Sequence, residues 1–222
     1  MSSGQTDAML DLTAEQLLTT TRAVRKRLDL ERPVEREVIE RCVVLAQQAP
    51  TGSNRQPWQF VFVDDPGKKK ALADLYARHF DLYASMPPPE YGEGDTRTAR
   101  HMAVRESAFY LRDHFHEVPV LMVPVIEGRL DEANSPVWMQ ASVWGSLLPA
   151  VWSFMLAARL HGLGTAWTTL HLPSDKDAAE VLGIPHERFM QAGLMPVAYT
   201  KGTDFKPAQR IPASDLIHWN AW

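Results

Sequence analysis

Four cations fall within six residues of this chain: Arg22, Arg25, Lys26 and Arg27. Like charges so close repel, so an anion could neutralise them, and guanidinium forks match phosphate oxygens. Thr13 and Gln16 have the spacing of a capping box, which predicts a helix through LTTTRAVRKRL. On such a helix Arg22 shares a face with Arg25 and with Lys26. As a solvated cluster, the same cations would instead complement the negative C-terminal end of the helix. Both readings fit these residues taken alone.

A second constellation runs from Ala49 to Trp58. Thr51, Ser53, Asn54 and Gln56 offer hydroxyls and amides on a backbone bent by Pro50 and Gly52. That inventory suits the hydrogen-bonding edge of a planar heterocycle, and it also suits an ordinary polar turn. Other signals point to less chemistry. Gly162-Leu163-Gly164 lacks the third glycine of a dinucleotide fingerprint, because Trp167 takes that place. Lys68, Lys69 and Lys70 read as a solvated helix start. His114, His116 and Cys42 have no metal-site spacing, and no GxSxG motif occurs.

The elements that must position these residues alternate between helix and strand. After Pro33, VEREVIERCVVLAQQA has helical spacing at Val34, Val38, Ile39, Cys42, Val43 and Leu45. APTGSNRQPW is a loop, WQFVFVDD a strand, and Pro66 leads into a helix through KKKALADLYARHF. Residues 85–98, SMPPPEYGEGDTRT, predict an exposed loop or lid. ARHMAVRESAFYLRDHF is a helix and VPVLMVPVIEG a buried strand. TAWTTL is a short strand, then comes a helix capped by Ser174 with Asp177 three residues on, then the strand AGLMPVAYT. A tail over residues 203–222 follows. The class this predicts is α+β: a sandwich of helices on a mixed, mostly antiparallel sheet.

Composition sets the outer limits. With 222 residues, 45% hydrophobic and 23% charged, the chain reads as one globular domain over 1–222. A net charge of −4 gives no basic field for nucleic acid. One cysteine, Cys42, excludes an internal disulfide, and MSSGQTDAML lacks a charged-then-apolar leader, so a cytoplasmic location is expected. Ala133 to Ala158 carries no formal charge. Its prolines, serines, Asn134 and Gln140 favour a helix buried on all sides over a membrane span. Partner helices from a second copy would supply such burial, which suggests a homodimer. Trp138, Trp144 and Trp152 on this helix read as core or dimer interface. Trp219 and Trp222 suggest a tail docked on the body or on the other subunit.

RAVRKRLDLERPV, AQQAPTGSNRQPWQFVFV, ARLHGLGTAW and KPAQRIPASDLIHWNAW, in this order, resemble the FMN-dependent nitroreductase superfamily. The resemblance implies a homodimer with exchanged C-terminal tails and two FMN molecules at the interface, each lined by both chains. It places Arg22 and Arg210 on the phosphate, Lys206 nearby, and Arg25 at the pyrimidine edge. Ala23 stands where many members carry serine, so one hydroxyl contact is lost from the phosphate stretch. Asn54 and Gln56 would meet the ring and ribityl region, supported by Pro50, Thr51 and Ser53. Trp167, Thr168 and Thr169, followed by Leu170, would pass the other side of the flavin. The implied activity is ping-pong transfer from NAD(P)H through FMN to a small electron-poor acceptor, a nitroaromatic or quinone. A same-fold reductive dehalogenase, a flavin-fragmenting enzyme and a flavin-binding sensor or carrier are the alternatives.

Overall fold

The computed structural model describes residues 9–92, 95–131 and 135–222. Helix α1 (Ala14–Thr20) starts as the capping box requires: Thr13 Oγ1 accepts from the Gln16 N–H, and Gln16 Oε1 from the Thr13 N–H. It does not reach the cations. Thr19, Thr20 and Thr21 turn their hydroxyls onto the carbonyls of Glu15, Gln16 and Leu17. Such β-branched residues are poor helix formers, and from Ala23 onward the backbone pairs with the sheet instead. The expected helix over residues 21–28 is therefore corrected to a non-helical strap, bridged to the sheet at Ala23 and Leu28 with a turn between them, where the Leu28 N–H donates to the Arg25 carbonyl at 3.1 Å. The shared helical face of Arg22, Arg25 and Lys26 goes with it.

Helix α2 (Arg36–Ala46) buries Ile39, Cys42 and Ala46, as its spacing predicts. Strand β1 (Trp58–Val63) pairs antiparallel with β2 (Val120–Glu127), from Trp58 opposite Ile126 to Val63 opposite Leu121. On its other side β2 meets β5 (Met195–Tyr199) and β4 (Phe189–Gln191), and β5 continues to β3 (Leu163–Thr165). All these ladders are antiparallel. Among the described residues, the parallel contribution is the bridge from Ala23 to Thr165.

β2 is buried on both faces from Val120 to Ile126. Val120, Met122 and Ile126 pack with α2 and with α5 (Val137–Leu160), through Leu147, Val151 and Phe154. Leu121, Val123 and Val125 face the other way, toward Leu72 and Tyr76 of α3 (Pro66–Ser85) and toward Phe115. Helices thus cover both sides of one sheet, the expected α+β sandwich.

Several elements differ from expectation for local reasons. α3 runs to Ser85, and α4 (Thr96–His114) opens at Asp95, whose Oδ1 accepts from the Arg97 N–H. The irregular cover between them is thus shorter than 85–98, and residues 93 and 94 of it lie outside the described residues. Pro87 disfavours helical backbone at Met86, which ends α3. Lys69 is not solvated: it is buried, and its Nζ donates to the carbonyls of Val118 and Pro119. Ser174 makes no cap for α6 (Asp175–Leu182), because its Oγ is bonded to His79 Nε2 at 2.8 Å. α5 is apolar and long enough to cross a membrane, yet its C-terminal half is core. It is not buried all round within this chain: Val137, Trp138, Leu148 and Trp152 are exposed. Of the expected run Ala133–Ala158, Ala133 and Asn134 lie outside the described residues.

The expected strand AGLMPVAYT is interrupted at Ala192–Leu194, where Trp167 crosses it. Trp167 Nε1 donates to the Ala192 carbonyl at 2.9 Å, and Thr168 Oγ1 donates to the Leu194 carbonyl. TAWTTL is accordingly strand only to Thr165, with a single bridge from Thr168 to Leu194. A Cβ on Gly193 would stand 2.7 Å from Trp167 Nε1 and 2.9 Å from the Thr168 carbonyl oxygen. Gly193→Ala should therefore cost about 1–3 kcal/mol by overpacking. Urea unfolding checks this, and an unshifted midpoint would contradict the close approach.

Candidate functional site

Residues 22–29 form a strap across the end of the sheet. The Val24 N–H donates to the Thr165 carbonyl at 2.8 Å, Asp29 N–H to Tyr199 at 2.8 Å, and Lys201 N–H to Arg27 at 2.8 Å. Val24 and Leu28 are buried beneath it. Gly164 permits this approach, since a Cβ there would stand 2.9 Å from Val24 Cβ and 3.0 Å from Leu28 Cδ2. The strap divides the four cations. Lys26 pairs with Glu106, and Arg27 with Asp204 at 2.5 Å. Among the described residues, Arg22 and Arg25 pair with no carboxylate.

Arg22 Nη1 donates to the Lys206 carbonyl at 3.0 Å, which ties the strap to the tail. Partial burial, with Arg100 and Arg210 nearby, holds its guanidinium below the ordinary pKa. Three guanidinium groups therefore share one region, and like charges gathered this way favour an anion between them. Ala23 presents no hydroxyl here, and its backbone is spent on the bridge to Thr165. The tail segment that brings Lys206 and Arg210 to this place is clamped at Phe205. Arg27 stands 4.3 Å over its ring and Arg159 4.9 Å.

Arg25 points elsewhere. It lines a cavity of about 600 Å³, large enough for a cofactor-sized ligand. Burial lowers its pKa, and its Nη1 reaches Ser107 Oγ at 3.4 Å. Trp167, Thr168 and Thr169 form a wall of the same cavity. α3 contributes Tyr76, Phe80 and Tyr83, while Pro87–Pro89 cover it. Burial pushes the Tyr76 hydroxyl up to about 12, so it is no base near neutral pH. Cys42 is buried away from the cavity and likewise pushed up to about 12, which leaves it inert as a nucleophile.

The loop after α2 is built but belongs to none of these walls. Ser53, Asn54 and Gln56 have φ of 53°, 53° and 50°, a left-handed conformation costly for residues with a Cβ. The Gln56 N–H donates to Thr51 Oγ1 at 3.2 Å, and Gln56 Nε2 to Asn54 Oδ1 at 3.1 Å. The Gly52 N–H donates to Ser146 Oγ at 3.2 Å, fixing the loop to α5. Pro50, Ser53, Asn54 and Gln56 are exposed, and no residue from Pro50 to Gln56 lines the cavity. One chain thus brings Arg22, Arg210 and Lys206 together and Arg25 with Trp167–Thr169, but leaves the loop apart. The helix α4 was expected, but its part in the site was missed from sequence: Arg100 stands near the Arg22 cluster, and His101 and Arg105 line the cavity. The one sequence signal was two arginines and a histidine within six residues of that helix, a pattern common on solvated faces.

The Nitroreductase family model matches residues 18–199. The chain belongs to this family. It is 29% identical over 156 residues to 5,6-dimethylbenzimidazole synthase of Rhodospirillum rubrum, covering 70% of this chain and 68% of that one. It is 24% identical over 201 residues to iodotyrosine deiodinase of Thermotoga neapolitana, covering 90% and 94%. Its fold resembles that of the FMN and NADPH-dependent nitroreductase NfnB from sphigopyxis sp. strain HMH, with a TM-score of 0.68 at 20% identity over 95% of this chain and all of that one.

His171 lies just beyond the Trp167–Leu170 wall and is fully buried. Its Nε2 is 3.1 Å from Gln191 Oε1, its Nδ1 has no partner among the described residues, and burial lowers its pKa to about 4. A base depressed from 6.5 in the fold contributes full stability above pH 6.5 and loses it as pH falls toward 4. That window is worth about 3 kcal/mol. Urea unfolding at pH 7 and pH 4.5 should show a smaller acid loss in His171→Gln than in the parent. Equal losses would mean that His171 is not held neutral.

Proposed function

We propose that this family member is an FMN-dependent oxidoreductase that works as a homodimer, taking electrons from NAD(P)H and passing them to an electron-poor nitroaromatic or quinone. The observation that carries the reading is the pair of partly desolvated arginines, Arg22 and Arg25, which pair with no carboxylate among the described residues. Arg22 and Arg210, with Lys206 and Arg100 beside them, would hold the phosphate through charge-assisted hydrogen bonds. Arg25 would hold a fixed positive charge beside the pyrimidine edge, favouring the reduced, more negative ring system. FMN bound there supplies hydride and electron transfer between two substrates that use the cavity in turn. The surrounding Trp167, Phe80 and prolines exclude water and orient flat molecules.

A second copy completes the site on this reading. The exposed face of α5 and the loop Thr51–Gln56 are fastened together through Ser146, so a copy docked on α5 meets the loop's hydroxyls and amides. The tail points the same way: Leu216, Ile217, Trp219 and Trp222 are exposed, Trp219 at 84%, and none docks on its own body. Exchange of tails between copies would cover them. Light scattering should give a dimer, and a stable 25.0 kDa monomer at micromolar concentration would remove the shared site.

The purified protein should absorb in the blue and oxidise NAD(P)H in the presence of menadione or nitrofurazone. The likeness to 5,6-dimethylbenzimidazole synthase supports flavin fragmentation as a second reading. In air, after NAD(P)H is exhausted, flavin absorbance returns fully for the oxidoreductase and is permanently lost for a fragmenting enzyme. Arg22→Ala and Arg210→Ala should each weaken FMN binding by about ten- to a hundredfold, the size of a lost charge-assisted bond. Lys70→Ala, which removes only a solvent-exposed pair with Asp74, is the control. Equal flavin affinity in all three variants would remove the phosphate assignment.

A further inference from the structure

We propose that the cavity selects planar aromatic molecules carrying an anionic group, with Arg105 and His101 of α4 as the residues that read the charge. The inference rests on the flavin reading for the molecule's role as acceptor, but not for its binding. His101 and Arg105 are one helical turn apart, and both line the cavity. His101 Nε2 is buried and has no hydrogen-bond partner among the described residues. Arg105 Nη2 donates only to a neutral acceptor, the Ala84 carbonyl, at 2.9 Å. Among the described residues, none that lines the cavity is an aspartate or glutamate. A cation with no counter-ion among the described residues, beside a buried imidazole nitrogen that donates in its Nε2–H tautomer, favours an acceptor that brings negative charge.

The other walls fix the shape. Phe80, Phe109 and Trp167 present ring surface, and Pro87–Pro89 add a rigid apolar cover. Such walls favour a flat conjugated body with its charge at the α4 end. A cationic or zwitterionic amino acid would carry an ammonium into walls that offer it no carboxylate among the described residues, at a desolvation cost that ring faces offset only in part. The chemistry therefore disfavours free aromatic amino acids as occupants and favours aromatic carboxylates and phenolates.

Benzoate and benzamide have the same ring and differ in charge, and neither is reduced, so their binding reports recognition without turnover. Isothermal titration of the FMN-saturated protein should show benzoate binding at least about tenfold tighter than benzamide. Arg105→Gln should bring the two within about threefold, Arg105→Lys should keep part of the preference, and both should leave FMN affinity unchanged. Equal affinity for the two ligands in the parent, or no binding of either, overturns the proposal. So does a preference that survives Arg105→Gln, or an Arg105→Gln protein that loses FMN instead, since Arg105 would then serve the cofactor. A protein that binds benzoate in this way but oxidises no NAD(P)H contradicts the flavin reading and leaves this one standing.

Discussion

The fastening of residues 22–29 to the sheet is the constraint on which the rest of the site depends. Three backbone hydrogen bonds of 2.8 Å hold this strap to Thr165, Tyr199 and Lys201, and Val24 and Leu28 anchor it in the core. Between its bridges at Ala23 and Leu28 the strap turns, with the Leu28 N–H donating to the Arg25 carbonyl at 3.1 Å, so the face that Arg22 and Arg25 would share on a helix does not form. Arg22 is therefore delivered to the tail and Arg25 to the cavity, only three residues apart in sequence. Gly164 is the local condition for it, because any side chain there would push the strap away from β3.

The charges on the strap show how the chain separates structural cations from the rest. Lys26 and Arg27 are paired with Glu106 of α4 and Asp204 of the tail at the solvent-exposed surface. Arg159 meets the tail from below: it is buried, stacks on Phe205 and donates to the Thr203 carbonyl at 2.8 Å. These contacts fix the first residues of a tail whose remainder is exposed. Together with the bare face of α5, that tail leaves apolar surface that the proposed second copy would cover. The strained loop Thr51–Gln56 stands on the same helix, so the proposed docking and the proposed cofactor edge are a single geometric requirement.

Much of this was legible in the sequence, and the failures share one cause. The capping box, the amphipathic α2, the polar loop and the doubly buried β2 are encoded by neighbouring residues, and local pattern found them. The end of α1 was not, because it is decided by a bond between Val24 and Thr165, far away in the chain. Lys69 reads as solvated until the carbonyls of Val118 and Pro119 are brought to it. The strand after Ala192 reads as continuous until Trp167 crosses it at Gly193. Arg22 and Arg25 were singled out on helical spacing that the structure does not have; it places one against the tail and the other in the cavity wall. α4 contributes Arg100, His101 and Arg105 with no local signal beyond charge, since only packing decides which face of that helix meets the cavity.

The account's central claim is that the strap and the tail together build a site for a phosphate dianion at the end of a cavity for a flat ring. Titration of flavin-free protein with FMN and with riboflavin, at equal ionic strength, isolates the phosphate from the ring. The account predicts that FMN binds about a hundredfold tighter or more, a margin expected of several charge-assisted hydrogen bonds, and that added salt erodes the difference. Equal dissociation constants for FMN and riboflavin would contradict it.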